Sequence, residues 1–417
     1  MNFRPNFSTE TWTLLVALLT LLFIYGIWPY GFFKKLGIPG PRPLPFIGTF
    51  LRYRKMFPII KHYGEILVKN VQKKMEHDEP LLMKDIFGAY STDVITSTSF
   101  SVNVDSMNNP NDPFVTNSKK LLKFSLLNPL IIIIVLFPFL IPVLKKLNVN
   151  FLPKDVMRFF LNAVTGIRAK RLQEGRTDRV DFLQLMLDSQ STEPSGNLHE
   201  YKTLSDSEIM AQSLVFILAG YETTGSSLSF LSYNVATHPE VQHRLHEEID
   251  KILPNKATPT YEALMQMEYL DMVINESLRL YPPGGRLERV CKKTVEINGL
   301  TIPEGIPTMV PVFAIHRDPE YWPEPEEFRP ERFSKENKDS VDPYTFLPFG
   351  AGPRNCIGMR FALLIMKAAM AVLLQNFSFQ TTKDTQVPLE LDSKGFLQPK
   401  KPIELKLVPR TSTSAEE

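Results

Sequence analysis

Between Ile209 and Ala236 the chain carries a single charged residue, Glu222. A helix with so few charges has no polar face to offer water, so it is expected to be buried nearly all round at the centre of a large domain. Ser205 and Glu208 have the spacing of a capping box, which predicts the helix start, and Pro239 predicts its end near Thr237. The composition agrees: 43% hydrophobic and 22% charged residues over 417 residues supply a large core and exclude a disordered chain. A net charge of +2 provides no basic field, so no nucleic-acid partner is expected. The two cysteines, Cys291 and Cys356, exclude a disulfide-built scaffold and most multi-cysteine metal sites.

A second apolar run, Thr11 to Trp28, contains no charge. A helix of about 20 such residues crosses a bilayer, and no Ala-x-Ala cleavage site follows, so residues 1–33 read as an uncleaved anchor. Lys34, Lys35, Arg42, Arg52, Arg54 and Lys55 lie downstream, against Arg4 and Glu10 upstream. This asymmetry predicts a single pass with a lumenal N-terminus and a cytosolic body. Residues 34–55 form a basic hinge, and its Pro39-Gly40-Pro41-Arg42-Pro43-Leu44-Pro45 segment predicts a stiff, extended strut.

The body, residues 56–417, is expected to be mainly α with a small β region. Residues 56–128 show amphipathic helical patterns, as at Leu81 to Phe100, without obvious chemistry. Leu130 to Leu144 is apolar but broken by Pro138 and Pro142, which predicts a buried or membrane-dipping segment. Helices are expected around Val241 to Leu253, Glu268 to Tyr281, and from Gly358 to about Leu374. Asn298-Gly299 within Val295 to Ile302 predicts a type I′ hairpin. His243, His246 and Glu247 lack a zinc-protease order and read as a solvated face.

The sharpest chemical signal is Phe349-Gly350-Ala351-Gly352-Pro353-Arg354-Asn355-Cys356-Ile357-Gly358, just before a helix. Glycines let backbone approach a flat partner, Arg354 can pair with an acid, and a helix N-terminus favours the Cys356 thiolate. Such a thiolate is a good axial ligand for haem iron; the plainer alternative is a structural cysteine. Glu222, alone in its apolar helix, requires a polar or wet neighbourhood. Thr223 can help relay protons, and Gly220 leaves room for a flat cofactor. A helix kink with Glu222 capped by backbone or water is the alternative. Glu276 and Arg279, three residues apart, can pair on one helix face.

The Cys356 loop resembles the haem-binding signature of the cytochromes P-450. Ala219-Gly220-Tyr221-Glu222-Thr223-Thr224 resembles their oxygen-activating segment, Glu276-Ser277-Leu278-Arg279 their Glu-x-x-Arg pair, and Pro330-Glu331-Arg332-Phe333 the motif completing that pair. Gln266 to Met272 and Arg286 to Cys291 are similar to microsomal family 3, subfamily A, the broad steroid and drug oxidisers. The resemblance implies a haem-thiolate monooxygenase of the endoplasmic-reticulum membrane. Its haem b would be ligated by Cys356 and contacted by Phe349, Ala219, Gly220, Arg289 and Arg354, the two arginines at propionate-binding positions. Glu222 and Thr223 would be catalytic, and Glu276, Arg279 and Arg332 a structural lock. The implied partners are an NADPH-dependent reductase, cytochrome b5, the lipid membrane and a hydrophobic small molecule. Leu218 departs from the Phe common in the subfamily.

A second departure is larger. Ile47-Gly48-Thr49 is followed within a few residues by Met56-Phe57-Pro58-Ile59-Ile60, which is similar to a much later family segment. The three tryptophans, Trp12, Trp28 and Trp322, are followed four residues on by Val16, Phe32 and Glu326, so the family's propionate-binding Trp-x-x-x-Arg does not occur. An incomplete P-450 fold is therefore expected, with part of its N-terminal subdomain missing near residue 50. A shortened, membrane-anchored chain that binds haem without turnover, or is inactive, is the alternative reading.

Overall fold

A computed structural model describes residues 8–27, 46, 51–109, 111–122, 133–134, 136–147, 153–174, 181–190, 204–338, 340–392 and 396–410. The proline strut, residues 130–132 and 135 of the Leu130 to Leu144 run, and residues 47–50 lie outside them. Ten helices carry the argument: α1 (Thr9–Ile27), α2 (Leu51–Glu76), α3 (Met83–Phe100), α4 (Pro113–Leu122), α5 (Lys154–Glu174), α6 (Phe182–Gln190), α7 (Asp206–Thr237), α8 (Pro239–Ile252), α9 (Glu268–Leu280) and α10 (Met359–Asn376). Helix α2 already begins at Leu51, so Arg52, Arg54 and Lys55 lie in its first turns.

Three helices, α1, α7 and α10, are long and apolar enough to cross a membrane, and burial separates them. Only 6% of the apolar window of α1 is buried, against 61% for α7 and 67% for α10. Helix α1 turns Leu14, Leu18, Leu21 and Phe23 outward, as a lipid-facing helix must. The other two are core elements. Farther along, Leu136, Phe139, Val143 and Leu147 are also exposed. Of the two expectations for Leu130 to Leu144, burial is overturned for its described part.

Ser205 caps α7 as its spacing predicts: its hydroxyl accepts the Glu208 N–H at 3.3 Å and Glu208 accepts the Ser205 N–H at 2.9 Å. The expectation of burial all round holds for the second half, from Thr224 to Ala236. It fails for the first, where Val215 and Ala219 are exposed. Apolar composition measures the tendency to be covered, and tertiary packing decides where cover is supplied.

Helix α3 is the converse correction. Its pattern suggested an amphipathic helix, yet every residue from Tyr90 to Phe100 is buried. Its hydroxyls satisfy the helix's own carbonyls: Thr92 donates to Gly88, Thr96 to Thr92 and Thr98 to Val94, at 2.7–2.8 Å. Polar residues that close their hydrogen bonds locally can be buried at little cost. The helices α3 and α7 come together through small residues. A Cβ on Gly225 would stand 3.1 Å from the Cα of Gly88.

The main core gathers α2, α3, the second half of α7, α8, α9 and α10. A smaller core around Phe100, Phe160, Leu183 and Ile217 underlies the first half of α7. The β structure is peripheral. One antiparallel sheet has the order β1 (Leu81–Leu82), β9 (Glu404–Pro409), β6 (Phe377–Thr381). The remaining strands make two-stranded pairs: β2 (Leu287–Val290) with β5 (Pro307–Val310), β3 (Val295–Ile297) with β4 (Leu300–Ile302), and β7 (Leu391–Asp392) with β8 (Gln398–Pro399). Between β3 and β4, Asn298 and Gly299 have φ of 50° and 78°, as a type I′ turn requires.

Candidate active site

The segment from Phe349 to Gly358 folds back on itself before α10. Gly350 and Gly352 have φ of 70° and 75°, which a β-carbon disfavours. The Gly350 N–H donates to the Leu347 carbonyl at 3.0 Å, and the Cys356 N–H donates to the Phe349 carbonyl at 2.8 Å. Phe349 itself is half-buried against the main core. The loop is thereby fixed at its base while the Cys356 thiol stays exposed, three residues before the helix. Strand β2 lies beside it: Leu287 Cδ2 would be 3.7 Å from a Cβ on Gly350. Arg289, two residues along that strand, is exposed and donates to the Glu288 carbonyl at 2.8 Å. Arg354, within the loop, is exposed as well.

Behind the loop, Glu276, Arg279 and Arg332 form the cluster expected of them. Glu276 and Arg279 are both 0% exposed, so their pairing differs in kind from a surface i,i+3 contact. Arg279 donates from Nε to Glu276 Oε2 at 2.7 Å and from a terminal nitrogen to Oε1 at 2.8 Å. Arg332 Nε and the Arg329 backbone N–H complete the carboxylate at 3.3 and 2.9 Å. The remaining donors of Arg279 reach the carbonyls of His316 and Glu327, at 2.7 and 3.1 Å.

Glu222 is 4% exposed. Side chains, rather than backbone, supply its protein donors. Lys84 Nζ, Gln398 Nε2 and the Ser226 hydroxyl all donate to Oε1, at 2.9, 2.9 and 3.1 Å. Lys84 also donates to the Glu222 carbonyl at 2.9 Å and to Ser226 Oγ at 2.6 Å. Burial pushes the Lys84 ammonium below its ordinary range, with Glu222 opposing that shift. Sequence reasoning missed Lys84 and Gln398, which lie far from Glu222 along the chain; only the cost of a lone buried carboxylate pointed to such partners.

Thr223 donates its hydroxyl to the Ala219 carbonyl at 2.6 Å, which leaves its oxygen able to accept. No hydrogen bond joins it to Glu222. A Cβ on Gly220 would stand 2.7 Å from Ile95 Cγ1, so glycine there serves the close approach of α3. The Gly220 carbonyl also accepts from Ser91 at 2.6 Å. Leu218 is half-buried against the smaller core. The His243–His246 face is corrected in part: His243 is exposed, but His246 is half-buried, and burial pushes it down to about 4. Among the described residues no cluster of His, Cys, Asp and Glu suits a metal ion.

A profile of the family described as Cytochrome P450 matches residues 43–407. The chain belongs to the cytochrome P450 family. Its relatives include cytochrome P450 3A12 of Canis lupus familiaris, 50% identical over 499 positions that cover 98% of this chain and 99% of the relative. Cytochrome P450 3A29 of Sus scrofa is 48% identical over 502 positions, with 99% of each covered. Cytochrome P450 3A5 of Homo sapiens is 47% identical over 506, with 100% of each covered. Those 506 positions against 417 residues (506 less 417) leave about 89 without a counterpart in this P450. Both ends are matched, so the shortfall is internal. Membership implies monooxygenase chemistry, a thiolate-ligated haem and a reductase partner. The residues fit such a group: an exposed thiol on a loop held at its base, and two exposed guanidinium groups for carboxylates.

Proposed function

We propose that this P450 inserts one oxygen atom of O2 into hydrophobic small molecules of the steroid and drug type, and that Cys356 would supply the thiolate that holds its haem iron. The observation that carries the reading is the exposed Cys356 thiol on a glycine-hinged loop at the start of α10. Haem supplies the oxygen chemistry when bound. Cys356 supplies the thiolate, and Arg289 and Arg354 supply cations for its carboxylates. Phe349, Ala219 and Gly220 contribute the walls. Thr223 holds its proton toward Ala219 and offers its oxygen as an acceptor. Glu222 exchanges protons once Lys84 releases its carboxylate.

Electrons come from an NADPH-dependent flavoprotein reductase, with cytochrome b5 as a second donor. The site is the endoplasmic-reticulum membrane, with α1 spanning once, the N-terminus lumenal and the body cytosolic. The basic residues after α1 support that orientation. The exposed Leu136, Phe139 and Val143 support a second, shallower lipid contact.

The internal shortfall is placed near residue 50, between the hinge and α2, and comprises part of the N-terminal subdomain. Two facts support this: the abrupt passage from Ile47-Gly48-Thr49 to the α2 sequence, and the bare β2–β5 pair, where Val290 is 68% and Met309 58% exposed. The shortfall also favours a second reading, a membrane-anchored haem binder without turnover.

The deciding experiment is the reduced, carbon-monoxide-bound spectrum of the purified full chain beside Cys356→Ser. A thiolate-type Soret band lost in the variant supports the assignment, and its absence from the unmodified chain overturns it. A normal band without NADPH-driven product selects the second reading.

A further inference from the structure

His316 follows the short helix Val312–Ile315 and is 0% exposed. Both of its ring nitrogens are committed. Nδ1 lies 3.0 Å from the Arg279 carbonyl, which can only accept, so Nδ1 carries the proton. Nε2 lies 2.8 Å from the Leu347 backbone nitrogen, which can only donate, so Nε2 is the bare acceptor. Hydrogen-bond chemistry alone therefore fixes one neutral tautomer. Burial agrees, since it pushes the imidazole down to about 4. The contact with α9 is reciprocal, because Arg279 donates a guanidinium N–H to the His316 carbonyl at 2.7 Å. The ring also stacks on Phe346, with centroids 5.5 Å apart and planes 25° apart.

These bonds join two regions that the sequence keeps apart. From Glu276 the path runs through Arg279 to His316, and from its Nε2 to Leu347. The Leu347 carbonyl accepts from Gly350, and the Phe349 carbonyl accepts from Cys356. Among the described bonds, His316 is the side chain that ties the buried Glu276–Arg279–Arg332 cluster to the backbone of the cysteine loop.

We propose that His316 is a positioning residue: as the Nδ1–H tautomer it sets the base of the Cys356 loop against the Glu276–Arg279 cluster. The proposal rests on the reading of Cys356 as ligand only for its consequence; the positioning itself is a property of the polypeptide. The two ring bonds can be removed separately. Glutamine puts an acceptor near the Nε2 position and retains the Leu347 bond, while asparagine puts a donor near Nδ1 and retains the Arg279 bond.

The test is amide hydrogen exchange of the full chain in detergent micelles, unmodified and as His316→Gln and His316→Asn, without added haem. Alkylation of Cys356 is followed in the same samples, with Cys291 as internal reference. In the unmodified chain the Leu347 amide is protected. In His316→Asn, exchange of Leu347 to Cys356 quickens about tenfold or more, the size expected for a buried donor left unpaired. Alkylation of Cys356 changes with it, and exchange in α9 does not. His316→Gln restores the loop to near its unmodified rates. An unprotected Leu347 amide in the unmodified chain overturns the proposal. So do equal losses in both variants, which describe a general packing role, or no change in either. With haem added, the thiolate-type band weakens in His316→Asn and survives in His316→Gln. If the unmodified chain shows no such band, the ligand assignment fails while the exchange result still decides this proposal.

Discussion

Glu276 and Glu222 are both buried carboxylates on core helices, and they are held in opposite ways. Glu276 takes two bonds from Arg279, its neighbour by one helical turn, and further donors from Arg332 and the Arg329 backbone. Both of its oxygens are used, and guanidinium geometry matches them bidentately. Glu222 takes a lysine, a hydroxyl and an amide, all on Oε1. Lysine is a point charge on a flexible stem, and it retains 29% side-chain exposure here against 0% for Arg279. The first arrangement suits a fixed support. The second is the looser of the two, with its described donors gathered on one oxygen.

Substitutions test that contrast, beginning where the loss is greatest. Glu276→Ala leaves Arg279 as an uncompensated buried cation and is expected to cost about 3–5 kcal/mol. Urea denaturation checks this, together with loss of haem incorporation. Acidification acts next. The folded His316 value of about 4 lies below its ordinary 6.5, so unfolding takes up a proton between those limits. Stability from this group is complete above about pH 6.5 and falls by about 3 kcal/mol toward pH 4. His246, lowered to about 4 as well, steepens the same limb. His316→Gln should flatten it, as read from denaturation midpoints at a series of pH values.

Lys84→Met removes the cation from Glu222 and leaves Ser226 and Gln398 in place. The expected cost is about 2 kcal/mol at neutral pH. Adding Glu222→Gln should recover most of it, and a double-mutant cycle measures the coupling. An effect as large as that of Glu276→Ala would erase the distinction between the two sites. The smallest change is Gln398→Ala, which removes one neutral donor and should cost about 1 kcal/mol. Denaturation at fixed pH resolves it.

Local signals translated most directly into structure. The capping box at Ser205, the Asn298-Gly299 turn and the helix-period pair Glu276–Arg279 need only near neighbours, so residue type and spacing suffice. The Cys356 loop was legible for the same reason, since glycine backbone freedom and the coming helix are written in one short segment. Helix α3 was misread because its Ser and Thr side chains are polar by type, yet they spend that polarity on their own backbone. The first half of α7 was misread because composition carries no direction. Lys84 could not be singled out, since nothing in Met83-Lys84-Asp85 distinguishes it from any exposed lysine.

The sequence alone determined the apolar N-terminal helix, the mainly helical class and the residue types of the cysteine loop and the buried Glu276–Arg279–Arg332 cluster, because each follows from hydrophobicity, chain geometry or nearest-neighbour chemistry. Only the tertiary structure decided which long-range partners satisfy the buried charges. It brought Lys84 and Gln398 to Glu222, set Ile95 against Gly220 and placed His316 between Arg279 and Leu347. A buried polar group states in the sequence that it must be paired, and the fold alone says with what.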